Sequence, residues 1–420
     1  MKNQAGRIAR LYLKGSMKKN IPLTFYGSTC DGADVCGQEL HIADGLFKRQ
    51  KPAGSLSIEV KDSVIYPGLI NSHDHMLGTY LPRVGNGPYL NWKPWDEDLK
   101  NSNLYKERGK INSADIYLLS AYRQILSGVT TVSDHIPHKV NENFIKNSPV
   151  RILDRYALAH ECSSYDLGWG AGLEKEIAAS RRKKIPFISH IEEGFDAEAL
   201  DGIIMLDKKK GLFRNTVLIH CISCSNADIA LIAKKKASFV WCPASNLYMF
   251  NRTADIKTFL DEKTNVTLGT DSPMSGSVNL LAEIKTARKI YKHIYKKELS
   301  DRIIFEMVTK NAARAFLMEK KLGSLQNGFT ADLIIVRKNT EDAYANLTAA
   351  EMPDIELVVI GGRPVYGTGK YESLFKNGQN DCSAIKIFGE KRYLTGDPAG
   401  LKKRIDRAVG FKKELLFFPL

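Results

Sequence analysis

The chain has 420 residues, 43% hydrophobic and 26% charged, which predicts two to three globular domains and excludes a disordered, collagenous or disulfide-framed chain. Lys and Arg outnumber Asp and Glu 61 to 47, a net charge of +14. The excess falls in short clusters such as Arg181–Lys184 and Lys208–Lys210, without the interleaved aromatics of a single-strand groove, so a solvated surface is expected rather than a nucleic-acid partner.

No run approaches the ~18 apolar residues that span a bilayer, and no membrane partner is expected. The opening MKNQAGRIARLYLKG lacks the apolar core and cleavage site of a secretory leader. Seven scattered cysteines (Cys30, Cys36, Cys162, Cys221, Cys224, Cys242, Cys382) read as free thiols of a reducing cytoplasm.

Residues 1–63 are glycine-punctuated and strand-like, as in HIADG. Residues 64–321 alternate β-branched runs with amphipathic helical stretches, the pattern of repeated βα units and hence an α/β chain with a (β/α)8 TIM-like barrel. The strand-like runs are Val64–Ile70, Val129–Ser133, Val150–Leu158, Pro186–Ser189, Val217–Ile219, Phe239–Trp241 and Val266–Gly269. Helices are expected over Ala114–Leu126, Leu173–Lys184, Ala227–Lys236 and Leu280–Tyr295, where apolar residues recur at i, i+3, i+4. Seven strands are legible where the barrel needs eight. The barrel is therefore distorted or short of a strand, the fourth being absent or contained in Val150–His160. Residues 322–368 read as short strands (ADLIIV, IELVVIGGRPVYG) that pair with residues 1–63 in a small composite β-sandwich domain. A basic C-terminal extension, 369–420, has no assigned role and ends in LLFFPL.

The chemistry sits where strand-like runs stop. Val64–Ile70 leads into NSHDH, so His73 and His75 point to one side of an extended backbone. PFIS ends in His190, followed by Glu192 and Glu193; TVLI ends in His220 and VTLGT in Asp271. Alone, each fits a plainer role: an HxH pair is weak, a lone histidine is usually a satisfied core residue, and Asp271-Ser272-Pro273 caps a helix. Together, on successive strand ends, they suit a divalent transition metal at the carboxyl end of a barrel. In the loop after His75, Arg83, Tyr89, Trp92 and Trp95 are candidates to line the pocket, and His135 and His160 follow the second and third strand-like runs. Cys221-x-x-Cys224 stands without a second pair at zinc-site spacing and reads as packing.

VIYPGLINSHDH, FISHIEEG, LIHCISCSN, WCPASNLYMF and LGTDSPMSGSVNLLAE resemble the metal-dependent amidohydrolase superfamily, in its cytosine-deaminase-like and triazine-hydrolase (chlorohydrolase) branch. The resemblance covers roughly residues 30–368. It implies that His73, His75, His190 and Asp271 hold one divalent metal, Zn2+ in the first place with Fe2+ or Mn2+ as alternatives. No lysine at the fourth-strand position is available to bridge two metals. It also implies a metal-bound hydroxide attacking a C–N bond of a small cyclic molecule, with Asp271 taking the proton, Glu193 donating one, and His220 orienting the water or the substrate carbonyl. Arg83, Trp95, His135, His160 and His220 are the expected substrate contacts. Glu192 is expected to turn away, because adjacent carboxylates on extended backbone face opposite ways. Ser245 and Asn246 are expected to brace the site. Two competing functions are a dechlorinating hydrolase of the same superfamily and a metal-free barrel acting as a binding or assembly protein. Beyond a small-molecule substrate, a homo-oligomer is allowed.

Overall fold

The computed structural model describes residues 21–32, 36–376 and 381–420. The opening segment through residue 20, residues 33–35 and 377–380, and the side chain of Cys36 lie outside the described residues. The other six cysteines are free thiols.

Four strands begin the described chain: β1 (Leu23–Thr29), β2 (Cys36–Ala43), β3 (Leu46–Lys48) and β4 (Leu56–Pro67). Eight short ones follow: β5 (Leu69–Asp74), β6 (Val129–Asp134), β7 (Arg151–Ile152), β8 (Ala157–Leu158), β9 (Phe187–Ile191), β10 (Thr216–His220), β11 (Ser238–Trp241) and β12 (Asn265–Leu268). These pair in parallel as β5-β6-β7 and β12-β11-β10-β9-β8. A bridge between Asp74 and Asp271 joins the two sets. Strands such as β6, β9, β10 and β11 are buried along their whole length, as expected where helices cover a parallel sheet. The expected helices appear as Ser113–Leu126, Leu173–Lys183, Asn226–Lys235 and Leu280–Tyr295. Among the described residues no helix is long and apolar enough to cross a membrane.

All eight barrel strands are therefore present, and the third and fourth both fall inside the run Val150–Leu158. Residues 153–156 join them with no helix between. A crossover between paired parallel strands takes a dozen or more residues. In keeping with that limit, β7 ladders only with β6 and β8 only with β9. The barrel is distorted here, not short of a strand.

The run Val64–Ile70 is not one barrel strand. It breaks at Gly68, where β4 leaves one sheet and β5 enters the other. A Cβ on Gly68 would lie 2.3 Å from Thr130 Oγ1 on β6, so only glycine passes there.

The remaining strands are β13 (Leu333–Arg337), β14 (Ile355–Ile360), β15 (Arg363–Thr368), β16 (Cys382–Ile387) and β17 (Glu390–Thr395). They complete a nine-stranded sheet in the order β16-β17-β15-β14-β13-β4-β1-β2-β3, built from both ends of the chain. Along β13, Leu333 and Ile335 join a core with Phe25, Ile65 and Phe375, while Ile334 and Val336 join the core shared with the barrel helices. Burial on both faces explains why ADLIIV reads as unbroken hydrophobicity. The C-terminal segment is part of this body: β16 and β17 extend the sheet, and Phe418 stacks on Tyr122 of the helix Ser113–Leu126 (centroids 5.6 Å apart).

Candidate active site

β5 ends in His73-Asp74 with His75 the next residue, and the two imidazoles come to one side of the chain while Asp74 points to the other. Asp74 Oδ2 accepts from Arg123 (2.6 Å), Thr270 (2.6 Å), Gln124 (3.0 Å) and Asn71 (3.2 Å). That buried pair and its neighbours fasten the histidine strand to the helix Ser113–Leu126 and to the end of β12. The main chain adds two bonds across the barrel seam, His75 N–H to Asp271 O and Asp271 N–H to His73 O. Here too a glycine is required, since a Cβ on Gly269 would sit 2.7 Å from His73 Cβ and 2.8 Å from its backbone N.

Asp271 has a positive φ of 59°, a left-handed turn that is strained for a side-chain-bearing residue. Its two oxygens are divided. Oδ2 accepts from the hydroxyls of Ser245 and Ser275, both at 2.6 Å. Oδ1 lies 3.3 Å from His73 Nε2 and 3.4 Å from His75 Nε2, and His190 Nε2 is 3.4 Å from His73 Nε2. His190 donates its Nδ1–H to the carbonyl of His160 (2.9 Å), which leaves the Nε2 lone pair facing the cluster.

Three imidazole nitrogens and a carboxylate oxygen, spaced at 3.3–3.4 Å, fit a transition metal. Ligands about 2.0–2.2 Å from a tetrahedral ion stand about 3.3–3.6 Å from one another. Ligand-spaced trios within 4.8 Å are His73-His75-Asp271, His73-His135-His190 and His190-Glu193-His220, so the expected ligands His73, His75, His190 and Asp271 are brought together.

His220, at φ 73°, donates Nδ1–H to Asn246 Oδ1 (2.9 Å) and sets Nε2 3.5 Å from Glu193 Oε1. Burial holds His220 down to about 4, so it is neutral. Burial, with Asp271 and Glu161 nearby, pushes Glu193 well above the usual carboxyl range and so favours its protonated form. Asp271 runs the other way. Burial alone would raise it, but the His73 hydrogen bond and the neighbouring histidines hold it well below. Two carboxyl groups whose surroundings push them in opposite directions thus share one site, the pattern that separates an acid from a base.

Glu192 turns away, accepting from Ile203 N–H (3.0 Å), although not by strand alternation. Its φ of 51° breaks the extended backbone on which that expectation rested.

The site opens into a cavity of about 260 Å³. His75, His160, His190, Glu193, His220 and Asp271 line one end, while Trp92, Trp95 and Trp169 with Leu77, Leu81 and Met249 form the walls. Trp95, His160 and His220 therefore stand where expected. Burial lowers His160 to about 3, so its ring lines the cavity as a neutral imidazole, with its buried Nδ1 lacking a hydrogen-bond partner.

Two expected contacts lie elsewhere. Arg83 donates to Gly276 O (3.4 Å) and covers the Tyr248 ring, bracing the loop outside the cavity lining. His135 is fully buried, with Nε2 on Ala159 O (3.1 Å) and Nδ1 3.4 Å from His190 Nε2. It joins the metal-site histidines rather than the cavity wall. Tyr89 also stays outside, bonded to Asp98 (2.5 Å). Sequence reading missed Trp169, Lys100, Tyr105 and Arg108, which line the cavity from segments without a motif. It also missed Ser275, whose bond to Asp271 no sequence signal marks.

Residues 155–365 match the sequence profile of the Amidohydrolase family. A 5-methylthioadenosine/S-adenosylhomocysteine deaminase of Moorella thermoacetica is 26% identical over 396 residues, spanning 79% of this chain and 90% of that protein. Among solved structures, an adenosine deaminase from Xanthomonas campestris with bound zinc superposes at a TM-score of 0.72 and 16% identity, covering 93% of this chain and 98% of that one. Atrazine chlorohydrolase from Arthrobacter aurescens, complexed with zinc, gives 0.68 at 17% identity, covering 84% and 98%.

Proposed function

Since the chain belongs to the amidohydrolase family, it is a metal-dependent hydrolase of carbon–nitrogen bonds other than peptide bonds, and we propose that it removes ammonia from an amino-substituted heteroaromatic ring. One observation carries this reading: a histidine–carboxylate cluster at metal-ligand spacing, with Glu193 and Asp271 pushed in opposite directions by their surroundings, lines an aromatic-walled cavity.

His73, His75, His190 and Asp271 would hold one zinc ion. When bound, such an ion supplies a Lewis acid that acidifies water towards neutral pH. The tryptophans sandwich a planar ring and exclude bulk solvent. His160 presents a neutral imidazole to the cavity beside the ring. Asp271 takes the proton from the attacking water. Glu193 gives a proton to the ring nitrogen beside the reacting carbon, the proton taken up by Asp271 passes to the amino group, which leaves as ammonia, and the added hydroxyl returns its proton to Glu193 as the product carbonyl forms. His220, held in one tautomer by Asn246, keeps its Nε2 lone pair free to accept from the attacking water and orient it. A purine substrate is favoured by the name of the Moorella relative, whose alignment spans most of both chains.

The test is ammonia release by zinc-loaded enzyme from amino-purines and their nucleosides, cytosine and amino-triazines. The expected result is turnover of one ring class, lost by about 10²–10⁴-fold in Glu193→Gln while bound zinc is unchanged. Chloride release from a chlorotriazine without ammonia release from any amine would replace deamination by dechlorination.

A further inference from the structure

The cavity holds a cation that hydrolysis does not use. Arg108 ends the short helix Asn103–Arg108 and donates Nε–H to the carbonyl of Leu77 (3.1 Å), two residues beyond His75. It is half-buried and lines the cavity. Among the described residues no carboxylate forms an ion pair with it. Its neighbour Glu107 is committed to Tyr80 and Lys413. The cavity-lining acid Asp96 is committed to Lys100, which lines the cavity as well. The remaining acids there, Glu193 and Asp271, belong to the catalytic end.

Arginine is seldom buried without a partner, and burial here disfavours its bare charge. With Nε engaged, both Nη groups remain to form the planar fork that matches a carboxylate or phosphate. The leucines that line the same cavity, Leu77, Leu81 and Leu99, keep its dielectric low and strengthen such a contact.

We propose that the substrate carries an anionic arm, a carboxylate or phosphate, gripped by the Nη groups of Arg108. This rests on the deaminase reading, and Arg108 acts on specificity, not on the bond that breaks.

The experiment uses matched pairs on zinc-loaded enzyme: an amino-purine, cytosine and an amino-triazine, each with and without a carboxymethyl arm, and adenosine against adenosine 5′-phosphate. The anionic member of the reacting pair is expected to have the higher kcat/KM, by about tenfold or more. Arg108→Gln raises its KM about 10- to 100-fold and leaves kcat and the neutral member nearly unchanged, which also shows that the variant folds. Arg108→Lys recovers part of the loss. Preference for the carboxymethyl or the phosphate form identifies the arm. Equal efficiency of neutral and anionic members, or an equal loss on both in Arg108→Gln, overturns this proposal and leaves deamination standing. No ammonia from any compound overturns deamination itself, and the arm with it.

Discussion

The two oxygens of Asp271 have separate duties, and the serines make that division possible. With Oδ2 held by Ser245 and Ser275 at 2.6 Å, Oδ1 is aimed at His73 and His75 before any ligand arrives. Hydrogen bonds to a charged group contribute about 1.5–3 kcal/mol each, and loss of partners that orient ligands typically weakens metal binding 10–100-fold. The double variant Ser245→Ala/Ser275→Ala should therefore fold normally but bind zinc about 10- to 100-fold more weakly in a chelator competition titration. Affinity equal to that of the parent protein would mean that the carboxylate needs no such support. Ser245 was legible beforehand from CPASN. Ser275 was not, because serine in a turn is commonplace and only proximity gives it a role.

At the scale of elements, strands deliver these side chains and the turns that end them aim them. His220, Glu192 and Asp271 all take positive φ where their strands stop, which no alternation rule foresees. The helix Leu280–Tyr295 backs the same region with Glu283, whose carboxylate accepts from Ala244 N–H (3.0 Å). Burial dominates there and raises Glu283 from 4.5 to about 7, against the Ala244 and Ser277 hydrogen bonds. The folded chain thus holds a proton that the unfolded chain releases near 4.5. The resulting stability is fully present below that pH and is lost as pH rises through about 7. Glutamine does not titrate, so Glu283→Gln should gain on the parent between pH 5 and pH 8 by on the order of 2–3 kcal/mol in urea unfolding. A stability difference that stays flat with pH contradicts the burial argument.

Across the whole molecule, the barrel and the two-ended β-domain were legible because both depend on periodicity and on glycine punctuation, which survive in a single sequence. His73, His75, His190 and Asp271 were legible because each closes a strand-like run. The fourth strand was hidden because β7 and β8 are two residues each and lack the intervening helix that would separate them. The break at Gly68 was hidden because β4 runs straight into β5 with one residue between. Arg108 and Trp169 carry no local pattern, and their roles come from where long connections fold back over the barrel mouth. The C-terminal strands looked like a basic extension because their charged faces obscure the alternation that pairs them with β15.

All of this converges on the proposal that one ion would be held between β5, β9 and the turn after β12. The most direct measurement is metal analysis of the purified protein together with its melting temperature before and after chelation. One zinc per chain is expected, with a fall in Tm on removal and recovery on re-addition, since a ligand that binds only the folded state stabilises it. A chain that folds with no stoichiometric transition metal, and whose Tm ignores both chelator and zinc, would contradict the account at its centre.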